Sequence, residues 1–313
     1  MKKKSTLLFF IQFFFLSLYA QEHPQERFEI PFFVNSQGNI YVEMIDGDYQ
    51  YKFLFDTASN INVLYNTGYK KAQKNLGYDV EEELFKLVRE NNAILSDDDI
   101  RIYVHEYINE QGASFVMEHF NCSGNDFFKK DFVYAPKEYN RLDDADFDGM
   151  IGLCFFDSPT NVLIDYKNNM IVVNGDLLNA KPVPMNRLEV TGIYTVEIKI
   201  NGIPQDALID TGSMLFFLRP EYKSDKRYKE SELRNFLDEN MPEYKNNGKT
   251  EIGVNLQIGT FKEKVTGHFF SSEKYGSTAD GAAFVKKINI LGNQIYMNHK
   301  IQLDFENMEF RIE

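Results

Sequence analysis

The sequence predicts a mainly β protein built as two matched β-barrel lobes, related by a pseudo-twofold axis and carrying short helical insertions. Three observations predict it. The tetrapeptide Asp56-Thr57-Ala58-Ser59 returns as Asp210-Thr211-Gly212-Ser213 with one change. Each copy stands at the end of an alternating apolar hairpin signal. Each is then followed, in the same order, by a charged helix-like piece, further strand-like segments, an apolar pair plus Gly, and a closing pair of strands.

The chain opens with Lys2 to Lys4, an apolar stretch from Leu7 to Leu18, and Tyr19-Ala20-Gln21. These read as the n-region, h-region and small-residue exit of a secretory signal peptide over 1–20. A mature chain from Gln21 holds no second apolar segment of membrane-spanning length and no Cys near the cut to accept a lipid, so the expectation is an exported protein, periplasmic or secreted, without a membrane span.

The first lobe is expected over 21–182. Ile40 to Gly47 leads through a polar turn into Tyr51 to Phe55, which meets Asp56, and an apolar strand follows at Ile61 to Tyr65. Asp79 reads as a helix cap with Glu82 completing a capping box, ahead of Val80, Leu84, Leu87 and Val88 at helical spacing. Strands are predicted at Ile100 to Tyr107 and Ser114 to Phe120, then Met150-Ile151-Gly152 and Val162 to Val173. The join falls in Asn174 to Thr191, a stretch with Pro182 and Pro184 and little periodicity.

The second lobe, 183–313, repeats this. Ile193 to Gly202 and Ala207 to Ile209 form a hairpin that meets Asp210, and Met214 to Leu218 follows. Leu233, Phe236 and Leu237 mark a helical face. Glu251 to Ile258 and Phe261 to Phe270 read as strands, and Ile290-Leu291-Gly292 precedes a closing pair over Ile301 to Ile312.

Composition narrows the function. The net charge of −13, which falls further when three lysines leave with the signal, makes nucleic acid a poor partner. Two cysteines, Cys122 and Cys154, permit a bridge in an exporting compartment but do not fix one; two small buried side chains is the other reading. The five histidines are scattered without a His-Glu-x-x-His motif, and Gly-x-Ser-x-Gly, Walker and dinucleotide fingerprints are missing. Asp144 to Gly149 starts like a calcium loop, but Phe155 stands where the bidentate Glu belongs, so a solvated acidic turn is the better reading.

Two carboxylates facing one water define a chemistry. A small residue at Ala58 or Gly212 lets the backbone turn sharply and lets a partner loop come close. Ser59 and Ser213 are expected to hydrogen-bond the outer oxygen of their own Asp, and Thr57 and Thr211 to tie one loop to the other. Like charges about 3 Å apart do not both ionise, so Asp56 and Asp210 would share one proton, acting as base and acid on a water that attacks a peptide carbonyl. Such chemistry needs neither metal nor other cofactor.

These residues resemble the pepsin and retropepsin superfamily of aspartic peptidases, and in particular exported bacterial aspartyl proteases. The resemblance spans about residues 28 to 313 and rests on the two Asp loops, on Asp148-Gly149-Met150-Ile151-Gly152-Leu153 and Ile290-Leu291-Gly292 as the segments that brace them, and on Asp165 and Asp304 in the strands that follow. It implies an acid-protease-like bilobal fold and an aspartic endopeptidase with Asp56 and Asp210 as the catalytic pair. It also implies a peptide or protein substrate, apolar residues around the cut, and a monomer, since both halves of the site lie in one chain. Tyr103 and Tyr107 stand at the stage of the first half where the family carries its flap tyrosine; ordinary strand tyrosines are the competing reading. Ala58 departs from the family's usual Gly. A peptide- or glycan-binding protein without catalysis on the same scaffold is the alternative function, and a structural protein with two turn aspartates is a third.

Overall fold

The computed structural model describes residues 26–36, 38–77, 79–91, 95–134, 147–189, 191–218, 251–269 and 288–313. The expected signal peptide and the helical face at Leu233, Phe236 and Leu237 lie outside them. Strand accounts for 48% and helix for 19%, so the mainly β expectation holds, with two closed six-stranded barrels.

The first half contains β1 (Phe28–Pro31), β2 (Phe33–Val34), β3 (Ile40–Asp46), β4 (Tyr49–Asp56) and β5 (Val63–Leu64), then α1 (Asn66–Leu76), α2 (Val80–Asn91) and α3 (Asp97–Gln111). It continues with β6 (Ala113–Cys122), β7 (Asn125–Tyr134), β8 (Gly149–Gly152), β9 (Asn161–Asp165) and β10 (Met170–Val173). The second half runs β11 (Val183–Arg187), β12 (Tyr194–Ile200), β13 (Ile203–Ile209), β14 (Phe217–Leu218), β15 (Glu251–Ile258), β16 (Phe261–Phe269), β17 (Asn289–Leu291), α4 (Asn293–Tyr296), β18 (Lys300–Asp304) and β19 (Glu309–Ile312).

Each barrel follows from alternation. Along β3, Ile40, Val42 and Met44 are buried while Tyr41, Glu43 and Ile45 are not, so one face fills the barrel. The ring closes in the order β3, β4, β8, β5, β7, β6 and back to β3. In the second half the ring is β12, β13, β17, β14, β16, β15 and back to β12, the same circuit strand for strand. Asn201 and Gly202, at φ +51° and +85°, make the tight turn between β12 and β13, the left-handed pair that a two-residue hairpin loop favours.

The two fillings differ. The first barrel is aromatic, with Tyr51, Phe53, Phe120 and Phe132 in ring contact at 5.5–5.7 Å, each pair adding about 0.5–1.5 kcal/mol beyond area burial. The second packs aliphatic residues such as Val196, Ile198, Ile209, Val254 and Leu256. Outside the two rings a six-stranded run follows the order β1, β10, β9, β18, β19, β11, a palindrome in the repeat. Its centre is the antiparallel pair β9–β18, where Ile164 meets Ile301 and Val162 meets Leu303. There the halves share one continuous core.

Several expectations are corrected. Ile100 to Tyr107, predicted as a strand, lies in α3. Ile100, Val104 and Ile108 are its buried stripe at a spacing of four, and Ser96 caps it by accepting from the Asp99 amide at 3.2 Å. Tyr103 and Tyr107 therefore sit on a helix, exposed at 53% and 37%, and neither belongs to a flap hairpin. Helix α1, not predicted, packs Tyr69 and Ala72 into the core, with Gly68 placed where any Cβ would collide with the Asp148 carbonyl. Asp79 does cap α2, accepting from the Glu81 and Glu82 amides at 2.9 and 3.3 Å, but the Glu82 carboxylate pairs with Arg101 of α3 at 2.7 Å. The strands after the Asp loops are shorter than predicted. Asp148 is not solvated: it is 4% exposed and accepts from Lys71 Nζ at 2.6 Å and the Lys52 amide at 2.9 Å. Asp144 to Asp146 lie outside the described residues. Cys122 and Cys154 are free thiols, donating to the Glu43 carbonyl and Asn62 Oδ1; Cys122 is buried as the second reading had it, but Cys154, on the turn after β8, is exposed.

Candidate active site

Asp56 is the last residue of β4, and Asp210 follows β13 directly. Each strand is pinned from the side by the apolar-apolar-Gly segment. β8 runs parallel to β4 with Ile151 opposite Phe55 and Gly152 opposite Asp56; β17 runs parallel to β13 with Leu291 opposite Ile209. The two glycines are required by close approach. A Cβ on Gly152 would enter the Ser59 carbonyl, and one on Gly292 would enter the Ser213 and Leu215 carbonyls.

Threonines lock the loops together. The Thr57 amide donates to Thr211 Oγ1 at 3.0 Å and the Thr211 amide to Thr57 Oγ1 at 3.1 Å. Thr57 Oγ1 in turn donates to the Ile209 carbonyl at 2.9 Å, and Thr211 Oγ1 to the Phe55 carbonyl at 2.8 Å. Both side chains are buried, at 1% and 0% exposure, so four backbone groups of two separate loops are satisfied by two hydroxyls.

The serines behave differently from expectation. Ser59 Oγ donates to the Ile61 carbonyl at 2.7 Å and Ser213 Oγ to the Leu215 carbonyl at 3.2 Å, so each hydroxyl serves its own turn. The carboxylates are held by amides: Ala58 N–H reaches Asp56 Oδ1 at 2.7 Å and Ser213 N–H reaches Asp210 Oδ1 at 2.9 Å. A short Asp side chain on a turning backbone finds the nearest N–H first, and the serine hydroxyl is left to cap the next carbonyl.

The two carboxyl groups hydrogen-bond each other. Burial pushes Asp56 above the usual carboxylate range, opposed by the Ala58 amide, the Asp210 side chain and the Gly212 amide. Burial also pushes Asp210 well above that range, and the charge of Asp56 and the hydrogen bond to it add to the rise against the Ser213 and Gly212 amides. Both carboxyl groups are thus pushed toward their protonated form, and the pair is suited to hold one shared proton.

Ala58 breaks the symmetry without opening a fault. Its methyl group packs against the cluster of Ile193, Leu208, Phe217, Ile288 and Ile290 from the second barrel. Asn60 adds a cross-half contact, donating to the Thr191 carbonyl at 2.5 Å.

Sequence reasoning passed over Asn293, Tyr166 and Asn62. Asn293 is 0% exposed; it accepts from Tyr166 Oη at 2.6 Å and donates to the carbonyls of Thr211 at 2.7 Å and Gly38 at 3.2 Å. Its signal was a polar residue directly after Gly292, where the first half has Leu153. Asn62 supports the other loop, accepting from the Gly152 amide at 3.1 Å and donating to the Asp131 carbonyl at 3.0 Å.

Asp165 and Asp304, expected from the resemblance in the strands after the bracing segments, end β9 and β18 and organise the turns that follow. Each takes the backbone and side-chain N–H of an Asn three residues on, Asn168 or Asn307, at 2.7–3.1 Å. Desolvation pushes the Cys122 and Cys154 thiols up to about 11, so neither supplies a thiolate at neutral pH. Among the described residues no cluster of His, Cys, Asp and Glu could hold a metal ion, and no helix is long and apolar enough to cross a membrane. Neither the protein-family models nor the curated proteins compared with the chain give a match.

Proposed function

We propose that this chain is an exported aspartic endopeptidase with an acid-protease-like bilobal fold, acting as a monomer on peptide or protein substrates. The observation that carries the reading is the pair Asp56–Asp210: two carboxyl groups from two matching barrels, hydrogen-bonded to each other on loops interlocked by Thr57 and Thr211. One proton shared by the pair Asp56–Asp210 lets one carboxylate act as base and the other carboxyl group as acid. The ionised member takes a proton from a water lying between the carboxyl groups as that water attacks the scissile carbonyl, while the proton on the other member stabilises the developing oxyanion; the pair then returns a proton to the leaving amine. The pair titrates as a unit, with activity expected where it carries a single negative charge.

A non-catalytic peptide or glycan binder drew its support from Ala58. That support weakens, because the Ala58 amide makes the 2.7 Å bond to Asp56 and its methyl group is packed. The test is incubation of the purified chain with an unstructured protein from pH 3 to pH 7, with and without a statine-type inhibitor, beside Asp56→Asn and Asp210→Asn. Inhibitor-sensitive cleavage by the wild type alone supports the peptidase. Cleavage that survives in both variants overturns the pair, and inhibitor binding without any cleavage moves the reading to the binder.

A further inference from the structure

The two halves match in backbone, yet the residues beneath the two Asp loops do not. Asn293 follows Gly292 as Leu153 follows Gly152, and Tyr166 follows Asp165 as Phe305 follows Asp304. One side therefore has a polar pair, Tyr166 with Asn293, joined by a 2.6 Å hydrogen bond. The side related to it by the repeat has Leu153 and Phe305, which carry no polar side-chain atom and belong to the apolar core.

The polar pair feeds the site through one peptide unit. Tyr166 Oη donates to Asn293 Oδ1, and Asn293 Nδ2 donates to the Thr211 carbonyl at 2.7 Å. The N–H of that same peptide belongs to Gly212, whose amide draws the pKa of both the Asp56 and Asp210 carboxyl groups down and whose backbone lies so close to Asp56 that a Cβ on it would stand 2.6 Å from the carboxyl carbon. A carbonyl that accepts a strong hydrogen bond makes the N–H of its own peptide a better donor, because the peptide dipole grows. All the side chains in this chain from Tyr166 inward are buried around Asn293 and Thr211, where the local dielectric is low and the effect is largest.

We propose that Asn293 and Tyr166 are positioning residues: they hold the Thr211–Gly212 peptide and polarise its N–H toward the Asp56–Asp210 pair, a support that the repeat-related Leu153 and Phe305 do not give the other loop. The inference rests on the paired-carboxylate reading of the site. The titratable groups that bear on the pair are Asp56 at the end of β4, Asp210 after β13, Tyr166 in the turn between β9 and β10, and Tyr296 on α4. Both tyrosines stay neutral, since burial first and the charge on Asp210 among the further causes hold their hydroxyls well above the usual range.

The test is a carboxyl-carbon NMR titration of the full chain labelled at aspartate, comparing wild type with Tyr166→Phe, Asn293→Leu and the double variant, which installs the Leu and Phe of the repeat-related side. Weakening the Gly212 donor raises the midpoint for loss of the first proton from the pair, by about 0.2–0.7 pH units. The double variant is expected to shift no further than Asn293→Leu, because Tyr166 acts through Asn293. Tyr166→Phe removes one hydroxyl and keeps the test open if the Asn293 variants fold poorly. A first midpoint that stays put in folded Tyr166→Phe and Asn293→Leu overturns the inference while leaving the pair intact. Two carboxyl groups that titrate independently in the wild type would instead overturn the pair itself.

Discussion

Gly212 stands so close to Asp56 that a Cβ on it would lie 2.6 Å from the carboxyl carbon and 2.7 Å from Oδ2. The equivalent position in the first loop is Ala58, whose methyl group has found a place on the second barrel's apolar cluster. Two loops of one repeat thus tolerate different residues for a steric reason. Only at Gly212 does the carboxyl group of the opposite loop occupy the space a side chain would need.

Gly212→Ala is therefore expected to push the Asp56 carboxyl out of its contact with Asp210 and to lower kcat by about 100-fold or more. Ala58→Gly keeps the Asp56 amide contact and loses only a packed methyl group and some backbone restriction, at about 0.5–1 kcal/mol. Peptidase assays and thermal unfolding of the two variants check this pair of outcomes. Equal activity in both would show that the close approach has no role.

The threonine lock predicts a coupled loss. Thr57→Val or Thr211→Val leaves one buried amide and one buried carbonyl without their partner, costing about 1–3 kcal/mol each. Both act on the same joint, so the double variant should lose less than the sum of the singles. Urea unfolding of the four proteins measures it; additive losses would mean the two hydroxyls stabilise their own loops independently.

Much of this arrangement was legible because the chain writes it twice. The hairpins ending at Asp56 and Asp210 have period-two burial, and a repeated period is a signal that does not depend on propensity. Helix α3 was misread because Ile100, Ile102, Val104 and Ile108 fit alternation as well as a helical stripe. The deciding cues were Ser96 with Asp97, Asp98 and Asp99 at its start, an N-terminus suited to a helix dipole. Asn293 stayed hidden for another reason. Its partners, Tyr166, Thr211 and Gly38, are far away in sequence, and no spacing rule brings them together before the chain folds.

Asp304 predicts how acid acts on the fold. Burial pushes its carboxyl up, but hydrogen bonds from Asn307 and the Arg311 guanidinium at 3.0 Å outweigh burial and hold it below its ordinary value of 3.8. A lowered folded value gives stability that is present above about pH 3.8 and lost as pH falls through the folded value. Asp304→Asn should therefore destabilise the protein at pH 7 by about 1–3 kcal/mol, since Arg311 is left buried beside a neutral group, and the difference should fade toward pH 2. Denaturant unfolding at the two pH values decides; a gap that is constant with pH would assign the effect to packing.

Asp210 predicts the opposite slope. Its folded value is raised, by burial first and then by Asp56, so the folded chain holds a proton that the unfolded chain releases above about pH 3.8. Stability from that carboxyl is fully present below pH 3.8 and declines as pH rises toward the folded value, at about 1.4 kcal/mol per pH unit. Asp210→Asn has no proton to hold. Relative to wild type it should be nearly equal in stability at pH 3 and gain as pH rises above about 4, while any peptidase activity disappears across the range. Thermal midpoints along this pH series test the claim directly. A variant less stable than wild type at pH 7 would mean that the Asp56–Asp210 contact stabilises the fold, contrary to a site that holds two carboxyl groups together for chemistry at the expense of stability.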